Sequence, residues 1–498
     1  MTGPDPDRRA FTSRTPANEN PDGVVYRRGF VTRHQVSGWR FVMRRIASGV
    51  ALHDTRMLVD PLRTQTRAVL VGVLILITGL AGCFIFSLIR PSGVAGNDGV
   101  LADRSTAALY VKVGDQLHPV LNLTSARLIV GRPDNPTTVK TAEIDRFGRG
   151  NLLGIPGAPE RMVQNTSRDA DWTVCDAASG PAAGLTVIAG SLTGGGERAV
   201  PLPSNSAVLV ENAGRTWLLW DGRRSPIDLN DRAITDALGL GAHSATPRPI
   251  ATGLFNTIPE APGLTAPAIP GAGEPPRFPL PVSAPVGAVV AAYEADNTIR
   301  YYALLPDGLQ PVPPVLAAIL RNTNSFGLDQ PPRLGADEVA RMPVARGIDT
   351  DAYPPDPVSL VNAADDPVTC AHWAKPEGAS TSTMNVLSGA ALPLANGTHT
   401  VDLVGSGTRV ALPPGRGYFV QTVGQEPGSP TAGSLFWVSD TGVRYGVDTT
   451  ADDGKAVTAL GLGAPPLPIP WSVLSLYAAG PALSRADALL AHDALEAR

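Results

Sequence analysis

The sequence predicts a β-rich α+β protein with one membrane span and four small repeated units beyond it. Three observations predict this. Residues 68–89, AVLVGVLILITGLAGCFIFSLI, carry no charge. Four later segments share a pattern of strand, tight turn, strand and helix. The 52 glycines and 48 prolines among 498 residues, with 17% charged and 5% aromatic residues, favour many turns and short elements over long coiled coils. A chain of this length is expected to hold several units. A hydrophobic share of 43% and a net charge of −4 suit a packed fold and argue against wholesale disorder and a polybasic nucleic-acid partner. Three cysteines are too few for a disulfide-dense scaffold.

Taken in chain order, residues 1–25 contain Pro4, Pro6, Pro16, Asn18, Asn20 and Pro21 and read as disordered. An amphipathic helix is expected over about 32–60. Within it Val36, Trp39, Val42, Met43, Ile46 and Val50 recur at spacings of three and four, which puts them on one helical face. Arg33, Arg40, Arg44 and Arg45 take other faces and suit anionic headgroups or an acidic partner, so these four arginines and Trp39 are the candidate docking residues. The competing reading is a helix packed on its own neighbours, but residues 1–67 offer little chain for such a core.

The uncharged run at 68–89 is about 33 Å long as a helix, enough to cross a bilayer once. Arg63 and Arg67 precede it, and Arg90 with Pro91 ends it. Residues 1–67 hold twelve arginines, no lysine and six acids, a net +6 that leaves −10 for the rest of the chain. Basic flanks stay in the cytoplasm, so 1–67 is expected inside and the region after the 90–100 linker outside. Leu80-Ala81-Gly82-Cys83 spells a lipobox, yet the apolar run continues through Phe84, Ile85 and Phe86, as a cleaved lipoprotein would not. A twin-arginine signal at Arg44 and Arg45 is weaker still, because His53, Asp54, Arg56 and Asp60 interrupt its apolar region. The span is expected to be a retained anchor.

Beyond the membrane, the similar segments are LYVKVGDQLHPVLNLTSARLIVG (109–131), TWLLWDGRRSPIDLNDRAITDALGLG (216–241), RYYALLPDGLQPVPPVLAAILRN (300–322) and LFWVSDTGVRYGVDTTADDGKAVTALGLG (435–463). Their turns, Gly114-Asp115, Asp221-Gly222, Asp307-Gly308 and Thr441-Gly442, offer residues that accept positive φ in a tight hairpin. The expected units cover about 101–160, 205–264, 290–345 and 425–485, with further strands at 183–190, 207–211 and 383–391. Residues 264–285, rich in proline, read as a semi-rigid linker that divides the outer region into two halves of two repeats each.

Cys83 falls in the span, while Cys175 and Cys370 lie outside it on either side of that linker. An oxidising compartment favours a disulfide between these two; a metal site built on Cys370 and His372 is the alternative. Catalytic motifs are missing. Of four lysines only Lys455 follows a glycine, and there Thr449 and Ala456 stand where a phosphate-binding loop needs Gly and Ser or Thr. There is no His-Glu-x-x-His and no Gly-x-Ser-x-Gly, and His118, His243, His372, His399 and His492 are far apart. Asp349, Asp351 and Asp356 do not have the spacing of an EF-hand loop. No cofactor, metal or nucleic acid is expected.

The run TRHQVSGWRFVMRRIASGVALHDTRMLVDPLRTQTRAVLVGVLILITGLAGC, the LIRPSG exit, LADRSTAALYVKVGDQLHPVLNLTSARLIVGRPDNP, GIPGAPE and the tail PIPWSVLSLYAAGPALSRADALLAHDAL resemble the EccB family of mycobacterial type VII (ESX) secretion systems. The resemblance covers the chain from about residue 23. The VVYRRGFVTRHQVSGWRF arm is most similar to the branch serving the iron- and zinc-linked ESX system. It implies a bitopic component of the inner-membrane core complex, assembled with EccC, EccD and EccE and with further copies of itself, EccC being the motor; with no phosphate-binding loop in the sequence, a structural and assembly role is the reading taken. It also implies a cytoplasmic arm that contacts neighbouring subunits, an elongated periplasmic part with a central domain flanked by the four repeats, and a periplasmic disulfide, here Cys175 and Cys370. Members are sometimes labelled ATPases, so a nucleotide hydrolase is the alternative function. A module binding the cell wall is a third class that the repeats permit.

Overall fold

A computed structural model describes residues 32–53, 61–89, 93–180, 182–241, 246–294, 297–403, 408–449 and 455–492. The chain forms two units, 1–92 and 93–498. In the first, α1 (Arg33–Leu52) starts at a capping box in which Thr32 and Gln35 satisfy each other's backbone N–H, and it stops at His53, whose φ of 50° is left-handed. The helix is therefore shorter than the expected 32–60; residues 54–60, like the stretch 1–25 read as disordered, lie outside the described residues. Helix α2 (Pro61–Ile89) begins earlier than the uncharged run, because Pro61 fits a first helical turn and Leu62, Arg63, Gln65 and Arg67 after it are good helix formers. Its apolar stretch Gln65–Phe86, 22 residues of mean hydropathy 2.7, is wholly unburied.

The second unit starts with residues 93–99, which were expected to be linker. They are tied down instead: Gly93 accepts a hydrogen bond from the Lys140 amide, and Ala95 is buried. The first repeat follows as β1 (Val100–Asp103), β2 (Leu109–Val113), β3 (Gln116–Val120), α3 (Leu123–Val130), β4 (Thr137–Val139), α4 (Thr141–Ile144) and β5 (Gly148–Arg149). β1 to β3 form an antiparallel meander, while β4 and β5 add parallel edges in the order β4-β1-β2-β3-β5. Next come β6 (Ala170–Ala177), β7 (Gly184–Ala189) and β8 (Val200–Pro201), which belong to a central sheet.

The second repeat has the same plan: β9 (Ser206–Asn212), β10 (Arg215–Trp220), β11 (Arg223–Pro226), α5 (Arg232–Ala237), β12 (Arg248–Pro249) and α6 (Thr252–Thr257). So does the third, with β13 (Val289–Tyr293), β14 (Ile299–Leu305), β15 (Gly308–Val312), α7 (Pro314–Thr323), β16 (Arg333–Leu334) and α8 (Ala336–Arg341). After β17 (Ser359–Leu360), paired with β9, the chain returns to the central sheet as β18 (Val368–Lys375), β19 (Thr383–Gly389), β20 (Val401–Asp402) and β21 (Thr408–Ala411). The fourth repeat closes with β22 (Tyr418–Val423), β23 (Leu435–Val438), β24 (Val443–Val447), α9 (Lys455–Ala459), β25 (Leu467–Pro470), α10 (Trp471–Leu474) and β26 (Ala478–Ala479), followed by α11 (Arg485–Ala488). The second helix of each repeat, four or six residues long, and its parallel edges, two to four residues long, are too short to leave a period in the sequence.

The central sheet runs β20-β21-β7-β6-β18-β19-β8, so each half of the chain lends its last strand to the other half's second strand. The stretches expected at 183–190 and 383–391 thus become β7 and β19 of this sheet, and that at 207–211 becomes β9 of the second repeat. The repeats are nested. The first shares a core with the fourth, where Val111 and Leu128 join Trp437 and Leu460. The second shares one with the third, where Leu218 and Ile234 join Leu316 and Ile319 and α5 packs on α7. Residues 264–285 therefore do not divide the outer region into halves. Leu264 and Ala284 are buried, Ala266 and Ile269 pack against the core of the second and third repeats, and Phe278, Leu280 and Val282 pack on the third. The stretch turns at 270–273 and bends further on, so the apolar residues between its prolines find cores to cover.

Candidate functional site

Strands β6 and β18 pair antiparallel with Cys175 directly opposite Cys370. Alternation along a strand sends both side chains to one face, where a disulfide joins them (S–S 2.10 Å, Cα–Cα 4.0 Å) across 195 residues of sequence. Both are fully buried beside Ile188, Leu387 and Ala411. With its sulfur bonded to Cys175, Cys370 is not a thiolate ligand, so the alternative of a metal held with His372 fails.

Two residues along the same face, His372 Nδ1 lies 2.8 Å from Thr173 Oγ1, and its Nε2 lies 3.8 Å from Asp171 Oδ1. Burial holds the imidazole below its ordinary range, opposed by Asp171, and the same burial raises the Asp171 carboxyl. The order Asp, His, Thr is that of a nucleophile relay, but Thr173 has no exposed surface and sits within a sheet. Substrate has no approach, so the chain of contacts is a structural one. On the opposite face, Trp172, Val174 and Trp373 pack against Leu254 and Phe255 of the second repeat and Ile469, Leu474 and Tyr477 of the fourth. Tyr418, edge-on to Trp172 at 5.2 Å, has its hydroxyl pushed up to about 12 by burial.

Sequence reading missed Arg248. Its Nη1 donates to Pro367 O (3.0 Å) and Thr369 Oγ1 (2.9 Å), its Nη2 to Asp176 O (3.2 Å), and Asp176 Oδ2 lies 3.9 Å from Nη2 while accepting from the Ala251 amide at 2.8 Å. This one side chain clamps the second repeat onto both halves of the central sheet. An arginine in a short Arg-Pro strand has no spacing signal that marks it. His118 is occupied by Asn151 O at 3.0 Å, and Asp349 caps the amide of Asp351. Among the described residues no group of three His, Cys, Asp or Glu converges on a metal-sized site.

The candidate docking residues lie on α1, which buries no side chain. Trp39 is 66% exposed and Val50 73% exposed. At 3.6 residues per turn, Val36, Trp39, Val42, Met43, Ile46 and Val50 fall within about 120° of the circumference. Arg33, Arg40 and Arg44 line one margin of that stripe, and Arg45 stands along the other, next to Val42. The helix has no Asp or Glu.

Compared with known families, residues 28–497 match a model described as "Type VII secretion system ESX-1, transport TM domain B". The chain is 72% identical to the "ESX-3 secretion system ATPase EccB3" of Mycolicibacterium smegmatis, over 99% of this chain and 98% of that one. It is 67% identical to the protein of the same name from Mycobacterium tuberculosis, over 99% and 95%. Among solved structures, the "EccB3 dimer from the ESX-3 core complex" superposes with a TM-score of 0.71 at 66% identity, covering 79% of this chain and all of that one. A chain of "an intact ESX-5 inner membrane complex" gives 0.72 at 37% identity, over 95% and 98%.

Proposed function

Because this chain belongs to the EccB family of type VII secretion components, we propose that it acts as a structural and assembly subunit of an ESX inner-membrane complex, with α2 as its anchor and residues 93–498 as its periplasmic part. The observation that carries this reading is its match, along nearly its whole length, to chains solved as an EccB3 dimer and within an inner-membrane complex. The internal construction supports it. The reactive and charged groups of the central sheet are spent on joining strands: Cys175 and Cys370 on a crosslink, His372 on Thr173, and Arg248, from the second repeat, on the two halves of the sheet. A rigid body held in this way suits a load-bearing part.

The same proposal gives the finer assignments. The arginine-rich residues 1–67 form a cytoplasmic arm, and 68–89 is a single pass leaving the C-terminal region in the periplasm. The partners are EccC, EccD and EccE together with a second copy of the chain. The names of these relatives carry the word ATPase, which keeps nucleotide hydrolysis as the rival reading.

One purification separates the two readings. The tagged full chain is isolated from its native membrane, its partners are identified by mass spectrometry, and ATP turnover is measured before and after EccC is removed. Recovery of EccC, EccD and EccE with all turnover lost alongside EccC supports the assembly role. Turnover retained by protein free of EccC overturns it.

A further inference from the structure

Helix α1 is 20 residues long, has an apolar stripe and a basic margin, and buries none of its side chains. Such a face needs a covering. Its place in the chain restricts what the covering is: α1 ends at Leu52 and α2 begins at Pro61, so the connection 53–60 reaches at most about 28 Å. The helix is thus tethered beside the bilayer surface at the N-terminal end of α2. A bilayer surface has an apolar interior under a polar sheet of headgroups. The stripe from Val36 to Val50 suits the acyl boundary, and Trp39 within it suits the headgroup level, where amphipathic rings prefer to lie. Arg33, Arg40 and Arg44 stand along one edge of the stripe, at the height of phosphates when the stripe faces down. Four arginines without a single acid on the helix complement a negative surface rather than a neutral one.

We propose that α1 lies in the membrane interface as a docking helix for anionic lipid, with the six apolar residues inserted, and with Arg33, Arg40 and Arg44 on one margin and Arg45 on the other reaching the headgroup phosphates. This rests on α2 as the membrane anchor proposed above and not on the assembly role. Each interfacial arginine is worth roughly fivefold in the ratio of docked to undocked helix, so replacing three lowers that ratio on the order of a hundredfold.

The test uses the full chain with Cys83→Ala, reconstituted in nanodiscs and labelled with an environment-sensitive fluorophore at Ile46→Cys, on the stripe, or at Ser37→Cys, on the far side. In phosphatidylglycerol discs the label at 46 is expected to shift to the blue and to be quenched by spin-labelled lipid, while the label at 37 is not. Combining R33Q, R40Q and R44Q, or raising salt to about 1 M, where the Debye length is about 3 Å, should release it. Equal protection in phosphatidylcholine discs, insensitive to salt and to the three substitutions, overturns the role of lipid charge. Protection that appears only when partner subunits share the disc overturns the lipid site and makes the stripe a protein contact.

Discussion

Cys175 and Cys370 were visible in sequence as two thiols on one side of a membrane, but their pairing became a physical fact only when β6 and β18 set them opposite each other. Closing so long a loop stabilises by about 5 kcal/mol in the chain-entropy model. Replacing both by serine should lower the midpoint of thermal unfolding, and adding a reductant to the native protein should give a comparable loss once the protein opens. Arg248 left no trace in sequence. Arg248→Met should cost about 3 kcal/mol or more in denaturant unfolding, because Asp176 remains buried with its charge unmatched. The pH dependence of stability carries the mark of His372. The folded state holds it below 6.5, so the unfolded chain takes up the proton first. Stability is therefore full above about pH 6.5, falls as pH drops through that value, and stops falling once the folded imidazole is itself protonated. Asp171, raised above 3.8, acts with the opposite sign at lower pH, adding stability as its carboxyl protonates. Unfolding of His372→Asn followed from pH 7 to pH 5 should lack the slope that the natural chain shows.

Among the elements, the hairpins were legible and their edges were not. The Asp221-Gly222 turn has the left-handed backbone its residues suggest, with φ of 44° and 71°. The Asp307-Gly308 turn does not use positive φ at all. There glycine serves close approach, since a Cβ at 308 would stand 2.4 Å from Pro343 O, where the chain returns beside β15. That contact is invisible in a local sequence window. Gly308→Ala is thus expected to destabilise by about 2 kcal/mol despite its ordinary φ, measured by chemical denaturation. The amphipathic pattern of α1 was readable because a helix's period is local, whereas its end at His53 depends on a left-handed cap that the sequence does not announce. Helix α7 shows the reverse limit: its apolar side was plain, but not that it would meet α5 of the preceding repeat.

For the whole molecule, nesting has a measurable consequence. If the second and third repeats share one core and the central sheet is interleaved, a protease site inserted within 270–277 and cleaved should leave two fragments that elute together in gel filtration, even in reductant. Fragments that separate would show that the two halves stand apart, as the proline-rich stretch at first suggested. The sequence by itself determined what depends on neighbours in the chain: one apolar span, an arginine-rich side, a helix with a stripe, four hairpins followed by helices, and a family resemblance carried by long unbroken motifs. Only the tertiary structure decided which repeat pairs with which, which strands interleave in the central sheet, that the proline-rich stretch covers a core, and which buried polar groups act as clamps. The reason is physical. Local propensity and hydrophobic period act over a few residues, whereas the partner of a buried face is chosen by shape and charge across the whole chain, and four units of similar pattern offer nearly the same apolar face until packing distinguishes them.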